Sequence, residues 1–248
     1  MIILLLVVLG LVEGSMLTAL THRLATGLSM VTGRSACPTC RHTLGPLDLV
    51  PLMSALVLGG RCRYCRARIS LRYPMIEGAT VIANLLLFVT FGLTWIMLWA
   101  VVVTGFLLVI FVYDLEHQLI LDRVVLPAFL IGLTGNLLFG RSLFDLLTAA
   151  ILGGGFFLTQ YLLSHGRWIG GGDIRLGALM GVLLGVAGVA AALFLAYLSG
   201  AVVSIGLVLF RRKRWKSMVP FGTFLTAATF VTLLFGSALL DWYLGLLQ

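Results

Sequence analysis

Two aspartates and four cysteines hold most of the reactive chemistry in this sequence. Asp114 ends the apolar run LLVIFVYD, and Asp173 closes the glycine stretch Gly170-Gly171-Gly172. An ionised carboxylate at the centre of a bilayer helix costs about 2.5–3.5 kcal/mol on insertion scales, so an acid at the edge of a long apolar run asks for a reason. Two carboxyls within a few ångströms of each other cannot both ionise easily. They share a proton, one acting as base toward water and the other as acid, which is the arrangement of an aspartic protease. Three successive residues without Cβ permit unusual backbone angles and close approach of a second helix, so Asp173 can face a neighbour directly. The plain alternative is that Asp114 marks a helix end at the headgroup level and Asp173 caps the next helix. As a pair, in Tyr-Asp and Gly-Gly-Gly-Asp settings, they favour catalysis.

The cysteines fall in two C-x-x-C turns, Cys37-Pro38-Thr39-Cys40 and Cys62-Arg63-Tyr64-Cys65, with 21 residues between them. Each turn can present two thiolates to one ion, and two turns complete a closed tetrahedral site, which points to structural zinc. Arg34, Arg41, Arg61, Arg63, Arg66 and Arg68 surround them and would offset the negative charge of a four-thiolate centre. The alternatives are two disulfides, which need an oxidising compartment, and thiol redox chemistry. His42 is a further ligand type nearby, but four cysteines already saturate the ion.

The remaining acids are less distinctive. Asp122, Glu116, Glu77 and Asp48 read as solvated or salt-bridged, while Asp145, Asp241 and Glu13 lie within or beside apolar runs. Glu13 is the most awkward of these, and pairing with another helix explains it. His117, three residues after Asp114, reads as a polar anchor. The sequence holds neither the H-E-x-x-H of a metalloprotease nor the G-x-S-x-G of a serine enzyme.

These residues must be positioned by elements suited to lipid. Sixty per cent of the 248 residues are hydrophobic and ten per cent charged, against about 45–50 and about 25 per cent in soluble domains. The first dozen residues lack a basic region and a cleavage site, so they read as the start of a span rather than a removable signal. Uncharged runs over 78–113 and 176–210 are long enough for two helices each, the first interrupted at FGLTW and the second by glycines. Single spans fit 2–20, 124–139, 143–163 and 219–240. The expected fold is therefore an all-α polytopic membrane protein of about eight transmembrane helices.

If those spans alternate, segments 21–77, 114–123, 164–175 and 211–217 share one side and hold 16 of the 17 Lys and Arg residues; only Arg141 lies opposite. The positive-inside rule makes the basic side cytosolic, with both termini outside. The formal charge of +8 thus reflects topology, and nucleic acid is not an expected partner. The expected division is a first transmembrane helix over 1–20, a cytosolic zinc-knuckle domain over 21–77 and a transmembrane core of about seven helices over 78–248.

At this point the sequence resembles the type IV prepilin peptidases, also called prepilin leader peptidases, over nearly its whole length. Gly14-Ser15-Met16-Leu17 with His22-Arg23-Leu24 resembles that family's opening motif, and the segments around Cys37–Cys40 and Cys62–Cys65 resemble its knuckles. So do Ile69-Ser70-Leu71-Arg72-Tyr73-Pro74 with Glu77, residues 114–127, the GGGDIRLGALMG of 170–181 and Val219-Pro220-Phe221-Gly222. The resemblance implies an endopeptidase of the Gly-x-Gly-Asp aspartyl class, shared with presenilin, with Asp114 and Asp173 rather than Asp122 as catalytic carboxylates. It implies cleavage of prepilin or pseudopilin precursors on the cytosolic face of the bacterial inner membrane, after a glycine that ends a basic leader. It also implies methylation of the new N-terminus with S-adenosylmethionine, and retention of the four cysteines favours this bifunctional form. Thr18 stands where asparagine is usual, and Arg175 where lysine is usual, which keeps the charge and changes its geometry. Two rivals from other classes are a transporter that uses intramembrane acids for proton or cation coupling, and a membrane scaffold that binds partners through its knuckles.

Overall fold

In lipid, a backbone must satisfy its own polar groups, and long apolar runs do so as helices. The computed structural model describes residues 1–29, 34–210 and 219–245. Among these the elements are α1 (Ile2–Thr26), the short α2 (Met53–Val57), α3 (Arg72–Phe91), α4 (Trp95–His117), α5 (Asp122–Leu138), α6 (Leu143–Ser164), α7 (Gly171–Leu209) and α8 (Phe221–Gly245), with a 3₁₀ turn over Pro46–Asp48 and no strand. The basic segment 211–217 lies outside the described residues.

Among the described residues six helices, all but α2 and α5, are long and apolar enough to cross a membrane. Eight were expected: the seventeen-residue α5, about 26 Å of rise, is at the short end of what crosses the hydrocarbon core, and the two helices expected over 176–210 both fall within the element α7. That element is broken at Gly185, whose φ of 75° and ψ of 179° are non-helical. A side chain added at Gly153 of α6 would meet both the Gly177 carbonyl and Val189. Those residues are twelve apart, about 18 Å along a straight helix, so the chain folds back at Gly185. Helix α7 therefore consists of two arms, 171–184 and 186–209. The break expected at FGLTW does separate two helices, through Gly92 at φ 62°.

The chain divides into two compact units, Met1–Val101 and Val102–Gln248. In the first, α1 runs six residues beyond the expected span and packs on α3 through small residues. A Cβ on Gly10 would stand 2.8 Å from Val81 Cα, and one on Gly14 2.6 Å from Glu77 Cα. Glu13 is paired as expected: Asn84 Nδ2 of α3 donates to its carboxylate at 2.9 Å. Buried Thr18 donates to the Gly14 carbonyl at 2.7 Å, so its hydroxyl is satisfied within α1.

Glu77 departs from the expectation of a solvated or salt-bridged acid. Helix α3 begins at Arg72, which draws Glu77 into its buried face. The Leu52 N–H donates to Glu77 at 2.8 Å.

In the second unit, α6 and α7 cross where Ala149-x-x-x-Gly153 faces Gly177-x-x-x-Gly181. A Cβ at either α7 glycine would strike the α6 backbone, the close packing that small residues permit between membrane helices. Phe157 fills the next turn and is fully buried.

Candidate active site and metal centre

Asp114 lies in the last turn of α4 and Asp173 in the first turn of α7, only 4% and 8% exposed. The N-terminus of α8 is aimed at Asp114. Thr223 N–H donates to its Oδ2 at 2.9 Å and Gly222 N–H also faces it, two donors that the helix itself leaves unpaired. Asp173 Oδ2 accepts the Gly170 N–H at 3.0 Å. It thus caps its own helix, and it also feels the charge of Asp114.

Ile120, in the turn after α4, lies against the starts of α7 and α8. A Cβ on Gly172 would stand 2.8 Å from Ile120 Cβ, and one on Gly222 would stand 3.1 Å from Ile120 Cδ1 and 2.8 Å from Asp114 Oδ2. This corrects the reading of the glycine stretch. None of Gly170, Gly171 and Gly172 has a positive φ, and only Gly172 is pressed by a neighbour other than Asp173 and its own loop. Absence of a side chain matters there for approach, not for unusual backbone angles.

Aromatic rings adjoin the acids. Tyr197, on the second arm of α7, interacts electrostatically with Asp173, packs edge-on against Phe221 at 4.9 Å and donates to Gln160 at 2.9 Å. Sequence reasoning did not find Tyr197 or Ile120. The Val219-Pro220-Phe221-Gly222 motif was the available signal for the donors on α8, since proline suits the approach to a helix start.

Asp122 is half exposed and forms an ion pair with Arg175. Exposed pairs contribute about 0–1 kcal/mol. Asp122→Asn should therefore lower unfolding stability by less than about 1 kcal/mol in denaturant titration; a larger loss would show that the pair is a principal tie between α5 and α7.

The cysteine segment folds as two like-built knuckles. Cys37 N–H donates to the His42 carbonyl and Arg41 N–H to the Cys37 carbonyl; Cys62 with Ala67 and Arg66 with Cys62 repeat the pattern. Arg41 and Arg66 occupy equivalent left-handed positions at φ 57° and 61°. The knuckles meet through His42 and Tyr64, whose rings lie 3.7 Å apart, so His42 is a packing partner. Asp48 ties in the preceding turn by accepting from Arg63 at 2.6 Å. That guanidinium bond, with the Gly45 N–H, holds Asp48 below the usual carboxylate range.

All four sulfurs lie within 4.8 Å of one another. The Cys37 and Cys65 sulfurs are 3.8 Å apart, far from the about 2.05 Å of a disulfide. A tetrahedral ion with metal–sulfur bonds of about 2.3 Å requires an edge of about 3.8 Å, so this donor set fits a metal ion. The Cys40 N–H facing Cys37 Sγ, with smaller help from Thr39 N–H and the neighbouring sulfurs, outweighs desolvation and holds that thiol down at about 6. At Cys65 the Ala67 N–H favours the thiolate, yet desolvation and the other three sulfurs push it up to about 11. Four clustered thiols resist joint ionisation unless a cation joins them.

Long apolar helices that carry two buried acids, with a helix N-terminus aimed at one of them, define a multi-pass membrane protein. Two family descriptions match the chain: the Bacterial Peptidase A24 N-terminal domain over residues 8–91 and the Type IV leader peptidase family over residues 101–205. Among relatives bearing the name prepilin leader peptidase/N-methyltransferase, that of Aeromonas salmonicida (strain A449) is 36% identical over 222 residues, covering 88% of this chain and 76% of its own. The Bacillus subtilis (strain 168) protein is 34% identical over 241 residues, covering 96% of both chains. The Pseudomonas aeruginosa protein is 33% identical over 267 residues, covering 96% of this chain and 92% of its own. No solved structure is a significant match. The chain belongs to the type IV leader peptidase family.

Proposed function

We propose that this protein is a membrane aspartyl endopeptidase that removes the leader of type IV prepilin-like precursors after glycine and N-methylates the new terminus, with Asp114 and Asp173 as the catalytic pair. The observation that carries the reading is the pair itself: two buried acids on different helices of one compact unit, electrostatically linked. Family membership supplies the substrate class. A water held between one ionised and one neutral carboxyl attacks the scissile carbonyl. The protonated partner supports the oxyanion, and a proton then passes to the leaving amine. The precursor keeps its apolar helix among the spans and its basic leader in the headgroup zone.

The acids and the knuckles face the cytosol of the inner membrane, because the basic segments that flank them obey the positive-inside rule. The division into a first helix (1–20), a knuckle segment (21–77) and a peptidase core (78–248) belongs to the same reading. Cys37, Cys40, Cys62 and Cys65 hold structural zinc, which supplies cross-linking and no catalytic step. S-adenosylmethionine is the methyl donor by family resemblance. Among the described residues no strand leads into a glycine-rich phosphate loop, so no residue is assigned to it. A proton-coupled transporter would explain the acids, but not the knuckles or the family match.

Incubation of the purified protein with a pilin-like precursor and S-adenosylmethionine, followed by mass spectrometry, should yield a product that has lost its leader and gained one methyl group. An unprocessed precursor, with proton or cation flux in reconstituted vesicles, would favour the transporter instead.

A further inference from the structure

Non-helical backbone within an apolar stretch is tolerated only where protein groups satisfy it. At Gly185 the carbonyls closing the first arm of α7 lose their helical successors, and side chains from outside α7 take them. Asn136 Nδ2, near the end of α5, donates to the carbonyls of Val182 at 2.7 Å and Leu183 at 3.1 Å. Arg141 Nη1, in the turn that follows, donates to the Leu184 carbonyl at 2.8 Å. Across the break, Asp145 Oδ1 in the first turn of α6 faces the Val186 N–H at 3.5 Å. A Cβ on Gly185 would stand 2.6 Å from Asp145 Oδ2 and 2.7 Å from Arg141 Nη1. The two side chains close directly over the glycine. Arg141 is also the basic residue that the topology leaves apart from all the others, so its position asks for a use.

We infer that Asn136, Arg141 and Asp145 form a polar clamp that locks the turn at Gly185 and, through the first arm of α7, sets the position of Asp173. The arm is a short rod with little slack. Asp173 lies twelve residues from the clamp, about 18 Å, and Gly177 and Gly181 between them rest on the α6 backbone. Each helical residue turns about 100° about the axis, so a change of register at Gly185 swings Asp173 away from Asp114. Close-packed interiors transmit such shifts rather than absorb them. The three residues are thus positioning residues, distant from the reacting atoms, and the inference rests on the assignment of Asp173 as catalytic.

The test compares Asn136→Ala, Arg141→Ala, Arg141→Lys and Asp173→Asn in cleavage of a pilin-like precursor, with folded protein measured by monodisperse elution and thermal midpoint. Misplacing a catalytic group by about 1 Å can reduce turnover about 10²-fold. Asn136→Ala and Arg141→Ala should accordingly lower kcat by about 10- to 100-fold with KM within about twofold, and Arg141→Lys should recover part of the loss. Parental kcat in the folded variants would overturn the clamp. So would a loss that vanishes when the rate is counted per folded molecule. If Arg141→Ala does not yield folded protein, Asn136→Ala and Arg141→Lys decide by the same criteria. An inactive Asp173→Asn beside fully active clamp variants rejects the clamp alone; an active Asp173→Asn rejects the catalytic assignment, and the clamp falls with it.

Discussion

Replacing Asp114 or Asp173 by asparagine should lower precursor cleavage by about 10³-fold or more while the protein remains folded in the membrane. The substitution is mild in shape. Asparagine keeps an oxygen that can accept the Thr223 N–H at position 114 or the Gly170 N–H at position 173, so the α8 and α7 helix starts lose only the charge-assisted part of each bond. What disappears is the capacity to hold and release a proton. Because the acids act as one unit, the double variant should be scarcely worse than either single one. Cleavage rate and precursor co-purification should be measured together. Retained binding without cleavage is the expected pattern, whereas substantial cleavage by either single variant would refute the pair.

The acids were legible because lipid makes a carboxylate costly wherever it is unexplained, and the cysteines because C-x-x-C spacing has a geometric meaning. The fold-back of α7 was legible only as a region. Residues 176–210 contain six glycines, equivalent to a local reading, and Gly185 is distinguished by acceptors and donors 40 to 49 residues away in sequence: Asn136, Arg141 and Asp145. Glu77 was misread for a related reason. Charge counting set it in the polar segment, whereas Pro74 is compatible with the first turn of a helix, and α3 starts early enough to bury the acid against Leu52. The donors of α8 were hidden because a backbone N–H has no sequence identity; only the motif around Pro220 hinted at them. Local chemistry is visible in residue types, while the partner that completes it is a property of the packing.

Removing the metal should unfold the knuckle segment without unfolding the helices. Among the described side chains between 34 and 71, only those of Cys37 and Cys62 belong to buried residues, so the described side chains form no apolar core to hold the chain. Small segments of this kind need a staple, and structural zinc supplies about 10–16 kcal/mol of apparent binding energy in comparable peptides at neutral pH. Metal analysis of reduced protein should find about one zinc per chain, lost on changing any one cysteine to serine. Chelation should then render residues 34–71 protease-sensitive while α4 to α8 stay protected. The pH dependence has a definite sign. The ion binds thiolates, so protons compete with it, and occupancy should fall as acid is added and return with base. The pairing of Asp48 with Arg63 cannot replace the ion, since it is a single link between the turn at Asp48 and the second knuckle and is itself lost as pH falls through the lowered range of Asp48. Metal-free, reduced protein with the same protease resistance would show that the knuckles close by hydrogen bonds and the His42–Tyr64 contact alone.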